Sequence, residues 1–151
     1  MKNFRTLFFL FLLFSSCTKE MNPVIEEKPG FSLRINGNEW TPTEYYYDIK
    51  DEGVSVIFAT DKVFTFSWTF DSELSEKKYV LGEKENKLIS AMYKYEGGLI
   101  KAFDILSGEL SILDFDSSKQ VLKCEFSFSA TDSSSKIFNI KDGKLYIDKF
   151  R

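Results

Sequence analysis

The chain has 151 residues, a formal net charge of −3 and no histidine, and aromatic residues make up 17% of it. The mild acidity argues against a nucleic-acid partner, which requires a basic surface. The absence of histidine excludes His-based catalytic triads and most zinc and copper sites, so we expect neither a metal nor a cofactor.

The chain begins with a short apolar run behind two cations. Lys2 and Arg5 precede the stretch Leu7–Phe14, and two small serines follow it. This stretch is much shorter than the roughly 20 apolar residues that a helix needs to cross a bilayer. The order of these features is typical of a secretory signal peptide, which predicts that residues 1–16 are removed.

The sequence Phe14-Ser15-Ser16-Cys17 resembles the lipobox of bacterial lipoproteins, although Phe14 replaces the usual aliphatic residue. The resemblance implies cleavage between Ser16 and Cys17, lipidation of the Cys17 sulfur, and acylation of the new N-terminus by a chain such as palmitate. Two or more acyl chains anchor a protein stably. Thr18, which is not the Asp that retains lipoproteins in the inner membrane, implies an outer-membrane location. A plain signal peptide that happens to contain a cysteine is the alternative.

Residues 17–30 have the composition of a flexible tether. Pro23 and Pro29 lie in this segment together with several charged residues, so it cannot bury enough apolar area to fold alone. The remaining length, 31–151, suits one domain.

From residue 31 onward the sequence alternates between apolar and polar side chains. The run 122–130 shows this period of two most clearly and predicts a half-buried strand with Cys124 on its apolar face. Similar runs predict further strands at Glu44–Asp48, Val54–Thr60, Val63–Phe70, Lys78–Leu81, Leu88–Tyr95, Leu99–Ile105, Glu109–Phe115, Lys136–Lys141 and Lys144–Phe150. We therefore expect an all-β fold, a single antiparallel β-sandwich or lipocalin-like barrel of about ten strands.

Turn dipeptides predict the register of three hairpins. The Asn-Gly pair at 36–37 suits a two-residue type I′ loop, which would set Leu33 opposite Trp40 and Arg34 opposite Glu39. The Asp-Gly pair at 142–143 and the Asp-Lys pair at 61–62 lead in the same way to the expected pairs Ile140–Leu145 and Ala59–Phe64.

Carboxylates are the remaining candidates for catalysis or cation binding. Asp114 and Asp116 lie two residues apart and could hold a hard cation, although Asp and Ser also end strands and open turns. No glycine-rich phosphate loop follows a strand. Catalytic residues are therefore not expected, and a His-free hydrolase would need two facing carboxylates of divergent pKa.

Aromatic side chains are the most prominent remaining feature. Trp40, Tyr45, Tyr47 and Trp68 are candidate ligand contacts, because exposed rings stack on sugars or line partner surfaces. Tyr93 and Tyr95 share a strand face as well. Core packing, with phenol oxygens at the rim, is the alternative.

The stretches FSLRINGNEWTP, GELSILDFD, CEFSFSA and IKDGKLYI resemble a family of small uncharacterised lipoproteins of the Bacteroidota. Members share a Phe-x-x-x-Ile-Asn-Gly-x-x-Trp start, matched here by Phe31, Asn36, Gly37 and Trp40 among others. The resemblance implies the lipid anchor and the all-β domain, but no activity.

Together these features predict a lipid-anchored cell-envelope lipoprotein whose β domain binds or scaffolds without catalysis. Its partners would be the membrane, through the lipid on Cys17, and an envelope protein, a peptide or a glycan. A small apolar ligand carrier is the alternative, with a barrel interior lined by residues such as Phe66, Trp68, Phe126 and Phe128. A His-free hydrolase ranks last.

Overall fold

The computed structural model describes residues 27–50, 53–70, 74–82 and 88–151. The predicted signal peptide, the cleavage site at Ser16 and Cys17, and most of the tether lie outside the described residues. Regular structure in the described part is almost entirely β. Its ten strands are β1 (Gly30–Ile35), β2 (Asn38–Trp40), β3 (Glu44–Ile49), β4 (Ser55–Thr60), β5 (Phe64–Phe70), β6 (Lys78–Leu81), β7 (Leu88–Glu96), β8 (Leu99–Asp116), β9 (Val121–Thr131) and β10 (Ile137–Ile147).

The strands form one antiparallel sheet that curls into a half-barrel. The strand order is β2-β1-β10-β9-β8-β7-β5-β4-β3, and β6 pairs with β8 outside this path. The prediction of an all-β antiparallel fold of about ten strands is therefore confirmed. No helix in the described ranges is long and apolar enough to cross a bilayer.

Strand β8 divides the sheet into two facing layers. Its first residues pair with β7 up to Phe103, and from Asp104 onward it pairs with β9. We call β2, β1, β10, β9, β6 and the second part of β8 layer A, and the first part of β8 with β7, β5, β4 and β3 layer B. The core lies between them.

The core is formed by the alternate side chains that the sequence period predicts. In β9, Leu122, Cys124, Phe126, Phe128 and Ala130 are all buried. Rings from the two layers interlock, with centroid distances of 4.7 Å between Trp68 and Phe126 and 5.0 Å between Trp40 and Phe66. Burial of each such side chain contributes about 1.5–3 kcal/mol.

The Asn-Gly turn is confirmed. Leu33 pairs with Trp40 and Arg34 with Glu39, as the two-residue loop requires. Asn36 and Gly37 have φ angles of 51° and 84°, and positive φ at both central positions defines a type I′ turn.

The Asp-Gly pair at 142–143 is not a hairpin, and the predicted Ile140–Leu145 pairing is wrong. Ile140 pairs with Phe128 and Leu145 with Cys124, so β10 runs straight through the dipeptide. Asp142, at φ 54°, is an extra residue in the ladder, and the structure uses the dipeptide as a β-bulge. The long neighbouring strand β9 supplies hydrogen-bond partners on both sides of the bulge, so the chain need not reverse.

The turn after β4 is longer than predicted. Ala59 pairs with Phe66 and not with Phe64, a shift of two residues that leaves every side chain on its expected face. The Asp61 carboxylate accepts hydrogen bonds from the backbone amides of Val63, at 2.8 Å, and Phe64, at 2.6 Å. This side-chain capping holds the wider loop.

The two strands predicted around Gly108 are one strand. Gly108 pairs with Phe128 of β9 and with Leu81 of β6, so it sits in the middle of a ladder. A Cβ at this position would overlap the Cβ of Phe128 and the carbonyl oxygen of Ser127. Glycine is thus present because the neighbouring backbone leaves no room for a side chain.

We expect Gly108→Ala to lower the free energy of unfolding by about 1–3 kcal/mol, because neither of the overlapping atoms can rotate away. Urea unfolding followed by tryptophan fluorescence measures the change. Gly30→Ala is the matched control, since the nearest atom to its added Cβ is the Lys28 carbonyl oxygen at 3.9 Å. Equal midpoints for the two variants would contradict this account of β8.

Candidate binding surfaces

Three of the four aromatic residues predicted as ligand contacts lie in the core. Tyr47 and Trp68 are each 1% exposed and Trp40 is 9% exposed, while Tyr45 is half-buried against the core. The Trp40 indole N–H donates to an Asp61 carboxylate oxygen at 2.6 Å. The expectation of an outward-facing Trp40 is therefore corrected: its ring ties the edge strand β2 of layer A to layer B.

The interior proposed for an apolar ligand is occupied by side chains. Phe66 lies 6.1 Å from Phe128, and Trp68 lies 4.7 Å from Phe126 and 6.2 Å from Phe128, measured between ring centroids. These four rings pack against one another across the two layers and do not line a cavity between them.

Of the two candidate carboxylates, Asp114 lies in the ladder opposite Lys123 and Asp116 closes a turn. The Asp116 side chain accepts hydrogen bonds from the Ser118 hydroxyl at 2.6 Å and from the Ser118 and Lys119 amides at 3.0 Å. Hydrogen bonds from Lys119 and Ser118 lower the pKa of Asp116. The turn-forming alternative thus describes this residue, and among the described residues no group of three potential ligands could hold a metal ion.

The Cys124 thiol faces the core. It is 1% exposed, and burial raises the pKa of its sulfur. A buried, protonated thiol behaves as a small hydrophobic side chain and not as a nucleophile.

A polar groove runs along the outer side of layer A. Its central part has a volume of about 720 Å³ and a floor that includes Ser32, Ser111 and Ser127. Smaller depressions adjoin it at both ends and share lining residues with it. The groove exists because short serine side chains alternate with long charged ones on β1, β8 and β9.

The charges along this groove are already paired with one another. Arg34 contacts Asp142 at 3.3 Å, and Lys144 contacts Glu125 at 3.6 Å. Lys78 contacts Glu109 at 2.8 Å, and Lys123 contacts Glu27 at 2.9 Å. The groove of layer A is therefore a solvated surface on which these charges neutralise one another in pairs.

The outer side of layer B is different, because the outward positions of its central strands β4, β5 and β7 carry no charge. Burial alternates along β4, β5 and β7, so the outward positions are known. None of these described outward positions is charged; they are Val56, Phe58, Thr60, Thr65, Ser67, Thr69, Ile89, Ala91, Tyr93 and Tyr95. We call this set the uncharged face.

Aromatic rings lie at both sides of the uncharged face. Tyr93 is 40% exposed and Tyr95 is 54% exposed, and the two residues are successive outward positions of β7. At the other side, Phe58 stacks with Tyr46 of β3 at a centroid distance of 4.9 Å. The Arg151 guanidinium covers the Tyr46 ring at 4.7 Å.

Hydroxyl groups lie between these rings. Thr60 and Thr65 hydrogen-bond to each other through their hydroxyl oxygens at 2.9 Å, and Thr65 is the cross-strand partner of Tyr93. Ser67 and Thr69 continue the row along β5. The uncharged face therefore combines aromatic rings with hydroxyl donors and acceptors.

The β7–β8 hairpin extends the uncharged face at one end. Tyr95 pairs with Ile100, which is 72% exposed. Glu96 accepts hydrogen bonds from Lys101 at 2.7 Å and from Lys94 at 2.9 Å. These two lysines lower the pKa of Glu96 to about 2. The ion pairs among the three side chains stabilise the β7–β8 hairpin, which carries Tyr95.

Sequence reasoning identified part of this surface. It placed Tyr93 and Tyr95 on one face, and the structure confirms this. It missed Phe58, because a ring in a strand of apolar residues is typical of the core. The signal that was available is the lack of any charge at every second position of three predicted strands.

Comparison with known proteins identifies one family. The family described as a domain of unknown function (DUF6252) matches residues 27–147, which is most of the chain. No curated protein and no solved structure matches the chain.

We expect the Glu96 carboxyl to titrate near pH 2, below its ordinary value of 4.5. Because its pKa is lower in the folded than in the unfolded protein, its ion pairs stabilise the hairpin above pH 4.5, and this stabilisation is lost as the pH falls toward 2. Carboxyl-detected NMR titration measures the pKa. Lys101→Gln should raise it toward 4.5, whereas Lys119→Gln, in the β8–β9 turn, should leave it unchanged. An unshifted Glu96 in the parent protein would contradict the described hairpin.

Proposed function

This chain belongs to the family described as a domain of unknown function (DUF6252), and from that premise we propose that it is a lipid-anchored cell-envelope protein. Its β domain acts as a non-catalytic binding module. The single observation that carries the proposal is the uncharged face of layer B.

The anchor is supported by the sequence before the described residues. A cationic start, the short apolar run Leu7–Phe14 and two serines precede Cys17. Thr18, in place of the Asp that retains lipoproteins in the inner membrane, supports an outer-membrane location. The residues between Cys17 and Glu27 span at most about 35 Å, so the β domain would stay near the lipid surface.

The binding role is supported by the contrast between the two outer surfaces. A solvated antiparallel sheet normally carries polar and charged residues on its outer side, as the groove of layer A does. Layer B instead exposes Ile89 at 70%, Tyr95 at 54% and Tyr93 at 40%. Contiguous exposed apolar surface of this kind marks interaction sites in soluble domains.

A non-catalytic role is supported by how the reactive groups are used. The carboxylates Glu109, Glu125 and Asp142 are each paired with a cation. Asp116 and Asp61 close turns through hydrogen bonds. These contacts engage five acidic side chains, among them the candidate Asp116, in ion pairs or turns.

We expect Cys17→Ala to release the protein from membranes, because the sulfur that carries the lipid is lost. Cell fractionation followed by immunoblotting measures the distribution between pellet and supernatant. Cys124→Ala is the control and should pellet with the parent protein. If Cys17→Ala also pellets like the parent, the lipid anchor is disproved.

We expect a photo-reactive phenylalanine derivative at position Tyr93 to crosslink a discrete envelope component in intact cells. The same derivative at Glu125, on the outer side of layer A, should give no such product. Tyr95→Ala should abolish the product formed from position 93, because it removes the neighbouring ring. Crosslinking that is equal from both positions, or absent from position 93, would contradict a binding role for the uncharged face.

A further inference from the structure

We infer that the uncharged face binds a neutral polysaccharide chain, whose sugar rings stack on Tyr93 and Tyr95 while its hydroxyls bond to the threonine and serine row of β5. This inference rests on the proposed function and names the ligand class of the same surface. It follows from the shape, the chemistry and the charge of the face, and from its distance to the tether.

The shape of the face suits an extended ligand. Tyr93 and Tyr95 lie on the same side of β7, about 7 Å apart along the strand. Tyr46 lies on β3, three strands away from β7 in the order β7-β5-β4-β3, which is roughly 14 Å across the sheet. The open sheet between these rings is longer than one sugar ring and is not a pocket that encloses a small molecule. Tyr93 and Tyr95 are its exposed rings, whereas the Tyr46 ring is already in contact with Phe58 and Arg151.

The chemistry of the face matches that of a sugar. One side of a pyranose ring presents C–H groups, which contact the face of an aromatic ring, and its edge presents hydroxyls. Tyr93 supplies the ring, and Thr65 directly beside it supplies a hydroxyl. A hydroxyl both donates and accepts, so the row Thr65, Ser67 and Thr69 can bond to ligand hydroxyls in either sense.

The lack of charge selects a neutral ligand. A phosphate, a uronic acid or a basic peptide would find no counter-charge at the outward positions of β4, β5 and β7. Cations at the margins of the face are already bonded to carboxylates: Lys94 and Lys101 to Glu96, and Arg151 to Glu44. Desolvating a charged ligand on this face would therefore go uncompensated.

The hydroxyl row argues against an apolar partner. A lipid surface, or the same face of a second copy, would press Ile89 and Ile100 against apolar groups but offer no new hydrogen-bond partner to the hydroxyls of Ser67 and Thr69, which costs free energy. A polysaccharide offers hydroxyls along its whole length. A polysaccharide can therefore stack on the tyrosine rings and hydrogen-bond to the hydroxyls of β5 at the same time.

The position of the face relative to the tether also argues against a membrane contact. Glu27, where the described chain begins, is bonded to Lys123, and Lys123 pairs with Asp114 near the end of β8. Tyr95 pairs with Ile100 at the start of β8. The exposed hairpin thus lies at the opposite end of the longest strand from the entry of the tether.

The test uses full-length protein purified in detergent and a panel of four polysaccharides: hydroxyethylcellulose, xylan, mannan and the anionic polygalacturonate. Affinity gel electrophoresis measures retardation and isothermal titration calorimetry measures affinity. We expect binding to at least one neutral polymer and none to polygalacturonate. Tyr93→Ala and Tyr95→Ala should each weaken binding by about tenfold, and Tyr93→Phe should retain it because the ring remains.

Tyr146→Ala is the matched control, because Tyr146 lies on the outer side of layer A beneath Lys123, and it should bind like the parent. Thermal unfolding by circular dichroism verifies that each variant is folded. No binding to any neutral polymer, or binding that Tyr93→Ala leaves unchanged, overturns the inference. So does a preference for polygalacturonate.

Two further outcomes separate this inference from the proposed function. If position 93 crosslinks an envelope protein and no polysaccharide binds, the sugar ligand is wrong while the binding role stands. If Tyr93→Ala instead abolishes dimerisation in sedimentation velocity, or co-sedimentation with phosphatidylcholine vesicles, the occupant is a second copy or a membrane and the inference is overturned. If neither crosslinking nor polysaccharide binding occurs, both proposals fail.

Discussion

The interlocked aromatic rings between the two layers are the contact on which the rest of the structure depends. Trp68 packs against Phe126 and Phe128, and Trp40 packs against Phe66. The sheet has to curl for rings on its two halves to meet, and the inward positions of every strand are then occupied. Because strand side chains alternate, burying one half of the positions also determines which half remains on the surface.

Three devices allow one sheet to make this bend. β8 changes partners from β7 to β9 between Phe103 and Asp104, and its ladder with β9 then shifts register twice, at 105–107 and at 112–114. Gly108 lets β9 approach closely, and the extra residue Asp142 kinks β10. Bulges interrupt the regular ladder and increase the local twist, which lets the sheet curve at these positions. The Trp40–Asp61 hydrogen bond then ties the edge of layer A to layer B.

The two layers differ in the side chains that they present to solvent once the core positions are filled. Layer A exposes a groove whose charges neutralise one another, such as Arg34 with Asp142 and Lys144 with Glu125. Layer B exposes rings and hydroxyls without charge on β4, β5 and β7, while its edge strand β3 carries the ion-paired carboxylates Glu44 and Asp48. The edge strand β3 is covered by the C-terminus, where the Arg151 amide donates to the Tyr47 carbonyl oxygen at 3.0 Å. An exposed but uncharged sheet surface beside a protected edge suits a ligand that contacts side chains and not the strand backbone.

The sequence by itself determined the strands, their inward faces and the Asn-Gly hairpin, because the period of two and the preference for positive φ are local properties. It also placed Tyr93 and Tyr95 side by side. Only the tertiary structure decided that Asp142-Gly143 is a bulge, that β8 is continuous through Gly108, and that Trp40, Tyr47 and Trp68 are buried. A dipeptide that permits positive φ serves a turn or a bulge equally well, and the neighbouring strand selects between them. An aromatic side chain likewise carries no local mark of its surroundings, since whether it is core or surface depends on which layer folds over it.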